Sequence, residues 1–248
     1  MRTGGLHTWP TTVAEAKQLQ PALAARVVLG ENGGEGADGG VPAELPRLVA
    51  GVDVSYGRFD KRAYAAVVVW DRVAGTVFET RTASAATAFP YVPGYLSFRE
   101  GPVALEAVAA LRVQPGAYLF DGQGIAHPRR FGLASHLGLW LGVPSVGCAK
   151  SRLIGEHEEP GEERGAAVAL VAPRKGLGAA PPRAPLERLG TVLRTKRRTR
   201  PLYVSPGHLC SHEFAVALVL GCDNGYRLPE PTRLADAETK RLRREHQA

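Results

Sequence analysis

A carboxylate inside an apolar strand constrains a fold strongly, and this chain has two. Asp53 lies within the run Leu48-Val-Ala-Gly-Val-Asp53-Val, and Asp121 closes a second run, Ala117-Tyr-Leu-Phe120. Asp121 also opens the segment Asp121-Gly-Gln-Gly-Ile-Ala-His127-Pro-Arg-Arg130. An ionised carboxylate in a strand interior is destabilising unless it meets a cation or a hydrogen-bond donor. Two of them on neighbouring strands would form the hard-oxygen site that Mg²⁺ prefers. The fold therefore has to set these two strands side by side.

The order of elements allows it. Thr12-Val-Ala-Glu15 reads as a capping box opening a helix, with Pro21 kinking or restarting it. Three strands at Leu48–Ser55, 63–69 and 76–82 are separated by short turns, so an antiparallel meander is expected. A helix over 101–113, with Pro102 in its first turn, precedes a strand at Ala117–Phe120. A helix near 132–141 and a strand near Ser145–Ala149 follow, then strands at 191–194 and 202–205 and helices at 214–220 and 232–244. Connections through helices favour parallel pairing and a right-handed crossover. If the fourth strand lies beside the first, Asp53 and Asp121 meet. The fold class expected is α/β: a ribonuclease H-like mixed sheet, three antiparallel strands followed by parallel ones, flanked by helices.

One domain spanning residues 1–248 is expected, with a flexible glycine-rich loop at 30–40 and a variable loop or hairpin at 155–188. The net charge of +7 favours a polyanionic partner. Lysine is scarce beside arginine, occurring only at 17, 61, 150, 175, 196 and 240, so Lys150, next to an apolar run, stands out. Cys148, Cys210 and Cys222 form no C-x-x-C pair, which indicates neither a disulfide framework nor structural zinc. The first residues lack the apolar core of a signal peptide, and no run is long enough to span a membrane. A cytoplasmic protein, monomeric and without membrane attachment, is the expectation.

Eight segments, in order, resemble the endonuclease V family of repair nucleases. They are Val49-Ala-Gly-Val-Asp53-Val-Ser-Tyr56, Phe89-Pro-Tyr-Val-Pro-Gly94, Phe98-Arg-Glu-Gly-Pro102 and Phe120-Asp-Gly-Gln-Gly-Ile-Ala-His-Pro-Arg129. Ala134-Ser-His136, Val146-Gly-Cys-Ala-Lys-Ser-Arg-Leu153, Val204-Ser-Pro-Gly-His208 and Leu228-Pro-Glu-Pro-Thr-Arg233 complete the set. The resemblance implies a Mg²⁺-dependent nuclease, with Mn²⁺ able to substitute, acting on DNA that contains deaminated bases. It implies Asp53, Asp121, Glu100 and His208 as metal-site groups, with Lys150 as a cation near the scissile phosphate. Tyr91 and Pro93, with Gly94, become a wedge that fills the space of an extruded base. Arg99, Gly122, Gln123, Gly124, His127 and Ser151 become substrate contacts.

Plainer readings exist for single residues. Asp121 before Gly could cap a turn, Glu100 could serve a helix dipole, and Lys150 could be a snorkelling surface lysine. Two other functions stay open: an endoribonuclease for inosine-containing RNA, and a lesion-binding protein without catalysis. The run Arg194-Thr-Lys-Arg-Arg-Thr-Arg200 is either a solvated turn or a track for phosphates.

Overall fold

The computed structural model describes residues 5–30, 44–57, 61–173 and 186–247. Apart from Gly30, the glycine-rich stretch at 30–40 lies outside them, as do residues 174–185. A single eight-stranded mixed sheet forms the frame, with spatial order β3-β2-β1-β4-β5-β8-β7-β6. The strands are β1 (Leu48–Ser55), β2 (Arg62–Asp71), β3 (Thr76–Ala86), β4 (Ala117–Phe120), β5 (Ser145–Ala149), β6 (Ala167–Val171), β7 (Arg188–Leu193) and β8 (Leu202–His208). Helices α1 (Val13–Ala24), α2 (Leu96–Ala109), α3 (Leu133–Leu141), α4 (His212–Gly221) and α5 (Glu230–Gln247) flank it.

The expected mixed sheet is present. β1, β2 and β3 pair antiparallel, whereas β4 joins β1 in parallel and β5 joins β4 in parallel. β8 then runs antiparallel to β5, and β7 and β6 extend the sheet in antiparallel pairs. The three parallel strands end at one edge, and that edge carries Asp53, Asp121 and Lys150.

Alternation along β1 assigns its two faces. Ala50 and Val52 join the core under α2 and α3 with Val103, Ala107 and Leu137. Val49 joins the opposite core with Phe214, Leu218 and Cys148 under α4. Asp53 has the parity of Val49 and so faces the side on which α5 lies across β1 and β2. The α5 backbone comes very close at Gly51, where a Cβ would stand 2.1 Å from the Pro231 carbonyl carbon. Any side chain at 51 would lift α5 off the sheet. The buried stripe of α5 uses small residues, Thr232, Ala235 and Thr239, for the same reason.

The course of α1 and the start of α2 differ from expectation in ways that matter here. The capping box at Thr12 and Glu15 is formed, but α1 continues through Pro21 because Ala16, Gln20 and Leu23 are all buried along it. α2 begins at Leu96, so Pro102 lies inside the helix rather than at its start. Burial of Phe98, Arg99, Val103 and Ala104 outweighs the missing N–H. Glu100 is thus a mid-helix residue, and the helix-dipole reading of it fails. Among the described residues no helix is long and apolar enough to cross a membrane.

Candidate metal and nucleic-acid site

Asp53, Asp121 and Asp236 each place a carboxylate oxygen within 4.8 Å of the other two. Asp53 is 8% exposed at the end of β1, and Asp121 follows directly on β4. Asp236 comes from α5, held down by the close packing at Gly51. The Thr239 hydroxyl, one helical turn on, donates to Asp53 Oδ2 at 2.5 Å. Burial, and then the charge of Asp121, push the Asp53 carboxyl up to about 7. A protein that gathers carboxylates this closely needs positive charge among them, and all-oxygen donors suit a hard divalent cation.

Lys150, just after β5, supplies some of that charge. Its Nζ pairs with Asp121 Oδ2 and sits 2.7 Å from Asp236 Oδ1. Burial opposes its ammonium form, but the two carboxylates outweigh burial and hold its pKa above the usual lysine range. The snorkelling reading of Lys150 is therefore replaced by a specific double ion pair.

Glu100 stands behind the cluster. Its Oε1 accepts from the Tyr56 hydroxyl at 2.5 Å. Burial first, and then the charges of Asp53 and Asp121, raise its carboxyl to about 7 despite that bond. It feels the cluster without contributing to the set of three.

His208 does not reach the site. It pairs with Ser145 at the start of β5, whereas Lys150 follows the other end of that strand. Its Nδ1 accepts from Val28 N–H at 3.1 Å, and its own N–H donates to Ser145 Oγ. The imidazole thus anchors the chain after α1, and it is Asp236 that stands beside Asp53 and Asp121. Accordingly, His208→Ala should keep the cleavage rate per folded molecule within about twofold while lowering Tm. A thousandfold loss of cleavage at an unchanged Tm would return His208 to the chemistry.

A cavity of about 440 Å³ opens beside the cluster, lined by Tyr91, Pro93, Gly94, Glu100, Asp121 and Lys150 among others. Gly122, Gln123, His127 and Ser151 also line it. Tyr91 is 42% exposed at its rim, an unusual position for an aromatic ring. The loop below Tyr91 is firmly held. Gly94 has φ +81°, and its carbonyl accepts from Arg129 Nη2 at 2.6 Å and from Gln20 Nε2 at 3.1 Å. The Arg129 guanidinium in turn lies 4.1 Å from the Tyr95 ring centroid. A left-handed backbone packed this tightly requires glycine, since a Cβ would meet Arg129 Nη2 at 2.7 Å.

Four of the expected substrate contacts have partners or surroundings that the structure shows. Arg99 is buried; it donates to the Phe89 carbonyl at 2.5 Å and lies 4.9 Å from the Tyr56 ring centroid, supporting the loop from within. The Gly124 N–H is taken by Ser205 Oγ at 2.8 Å, and a Cβ on Gly124 would stand 2.0 Å from Pro206 O. His127 is buried, and burial, then Arg129, lower its imidazole to about 4, so it faces the cavity as a neutral ring. Gln123 donates through Nε2 to Ser151 O at 3.1 Å, while its Oε1 is a buried acceptor without a hydrogen-bond partner among the described residues.

Sequence reasoning missed Asp236 and Thr239. Their only advance signals were the spacing of three, which puts both on one helical face, and the small residues at 232, 235 and 239. In a helix as charged as α5 those signals are faint.

Comparison with known proteins finds relatives along most of the chain. The sequence model described as Endonuclease V matches residues 38–237. An endonuclease V from Roseiflexus sp. (strain RS-1) is 44% identical over 229 residues, 92% of each chain. The crystal structure of endonuclease V from Streptomyces avermitilis superimposes with a TM-score of 0.82 at 40% identity, covering 97% of both chains. The Ciona intestinalis enzyme, solved with a 24-mer DNA containing an inosine followed by a ribo-adenosine, gives 0.73 at 27% identity over 94% of this chain and 98% of its own. With the family match spanning most of its length and both carboxylate strands, the chain belongs to the endonuclease V family.

Proposed function

We propose that this nuclease recognises a deaminated purine, deoxyinosine first, and hydrolyses the second phosphodiester 3′ to it. The observation that carries this reading is the three-carboxylate cluster with Lys150, whose Asp121 and Lys150 line a cavity that an exposed Tyr91 also lines. Asp53, Asp121 and Asp236 would hold Mg²⁺, or Mn²⁺ in its place. A divalent ion there supplies Lewis acidity at the phosphate and lowers the pKa of a water.

The chain's own groups do the rest. Thr239 fixes the rotamer of Asp53 through its hydroxyl bond. Lys150, placed beside Asp121 and Asp236, would offer its ammonium to the scissile phosphate and stabilise the charge that builds there. Water attacks phosphorus, the P–O3′ bond breaks, and 3′-hydroxyl and 5′-phosphate ends result. No serine or cysteine nucleophile takes part, and the base stays attached to its sugar.

Tyr91 inserts beside the lesion as the base leaves the stack, at a cost of a few kcal/mol that is smallest where pairing is already damaged. The unpartnered Gln123 Oε1 supports a reading of the flipped base: an acceptor there suits the N1–H of hypoxanthine and disfavours the bare N1 of adenine. Tyr91→Ala should reduce kcat/KM on duplex deoxyinosine DNA by about 10- to 100-fold and on an unpaired lesion by much less. Equal losses on both would remove the wedge role.

Cleavage of end-labelled strands carrying one deoxyinosine or one riboinosine, with Mg²⁺ and with EDTA, tests the whole reading. A Mg²⁺-dependent nick one nucleotide beyond deoxyinosine supports it. Cutting of the inosine RNA alone would favour the endoribonuclease reading, in which a 2′-hydroxyl is sensed. Tight binding with no cutting would make the protein a lesion-binding module.

A further inference from the structure

A second groove, of about 790 Å³, adjoins the first cavity, and Lys150, Ser151 and Arg152 line both. Its far wall is the turn between β7 and β8, including Arg194, Arg198 and Arg200, and Glu159 and Glu162 face that turn. These arginines divide into struts and free heads. Arg194 is 7% exposed; its guanidinium donates to the Gly161, Pro160 and Thr199 carbonyls and pairs with Glu159 at 2.8 Å. It braces the turn and is unavailable to a ligand.

Arg227 braces the same turn from behind. It donates to Arg200 O at 2.7 Å, to Pro201 O at 2.9 Å and to Lys150 O at 2.8 Å. The turn and the lysine of the acidic cluster are thereby fastened to one guanidinium. Arg200 and Arg152 are exposed and make no ion pair among the described residues. Arg198 pairs with Glu162 at 3.0 Å, with both side chains more than 60% exposed, a pairing that solvent leaves weak and a phosphate can replace.

We infer that this groove carries the substrate strand on the 3′ side of the scissile phosphodiester, with Arg198 and Arg200 meeting its phosphates. The direction follows from the arrangement of parts. The lesion cavity and the groove meet at Lys150, Ser151 and Arg152, and the proposed cut falls 3′ to the lesion. A strand that leaves the flipped base and passes the acidic cluster therefore continues into the groove. The inference rests on the cleavage reading above, and it names the partner of the groove as a phosphodiester backbone read without regard to sequence.

The test uses deoxyinosine strands with two or ten nucleotides 3′ of the cut, and a matched pair that differs only on the 5′ side. Binding is measured by anisotropy in EDTA and cleavage in Mg²⁺, for the wild type and for Arg198→Glu/Arg200→Glu. The wild type should gain about tenfold in affinity from the 3′ extension and the variant less than twofold. The variant's salt slope should fall by about 0.7 for each lost contact on a single strand. Its far-UV circular dichroism and thermal melt should match those of the wild type, which shows that it is folded. A variant that keeps the full 3′ gain, or loses only a 5′ gain, would overturn the groove assignment while leaving the cleavage reading standing. Failure of the wild type to cut any deoxyinosine strand would overturn that reading, and the strand direction with it.

Discussion

Asp236→Asn is expected to cut deoxyinosine DNA about a thousandfold more slowly than the wild type, equivalent to about 4 kcal/mol of transition-state stabilisation. Binding of the same DNA in EDTA should change by no more than a few-fold. Asp236 sits in the three-oxygen cluster and also holds Lys150 and Lys240, at 2.7 and 2.6 Å. The amide keeps the volume of the side chain but removes the charge that would attract a divalent ion. Single-turnover cleavage and anisotropy separate the two effects. A variant within tenfold of the wild-type rate would take Asp236 out of the metal site.

The second large effect concerns stability without metal. Asp53 and Glu100 both have carboxyls raised to about 7, burial being the first cause in each case. The unfolded chain binds these protons only below about pH 4. The folded state therefore holds more protons than the unfolded state between roughly pH 4 and 7, and stability falls as pH rises through that window. The contribution is complete below the unfolded pKa and lost above about pH 7, where both groups ionise beside Asp121. In EDTA, Tm should decline from pH 5 to 8, and Mg²⁺ should restore it at the alkaline end.

Asp53→Asn should flatten that decline and stabilise the metal-free protein at pH 8 by about 2 kcal/mol, roughly 4–8 °C in Tm. The same variant should lose both cleavage and the Mg²⁺-induced rise in Tm. Calorimetric melts over pH in EDTA and in Mg²⁺ check both statements. A metal-free Tm that rises steadily from pH 5 to 8 would contradict the electrostatic picture of the site.

Asp53 and Asp121 were legible because each breaks an apolar run, a conflict that a strand tolerates only for a reason. The meander and the parallel β1–β4 pairing followed from turns and helix-borne connections, whereas the wedge reading of Tyr91 and Pro93 came from the family resemblance alone. His208 was drawn to the site by resemblance, and residue types do not show the strand direction that sets it opposite Ser145. β8 runs antiparallel to β5, so each residue past Tyr203 moves away from the end that bears Lys150. Asp236 was hidden for a different reason. It lies in a helix crowded with charges, and only the approach of α5 to Gly51 turns one of its carboxylates inward. Arg99 and Gly124 lie in segments of the right character, yet tertiary contacts had already occupied their donors. Motif spacing locates a site; it does not report which polar groups the fold keeps for itself.

The proposed metal site of Asp53, Asp121 and Asp236 is open to anomalous diffraction from crystals grown with Mn²⁺. A peak is expected among the three carboxylates, with the Lys150 ammonium displaced from Asp121 and Asp236. A peak beside His208, or none at the cluster in an enzyme that Mn²⁺ activates, would contradict it.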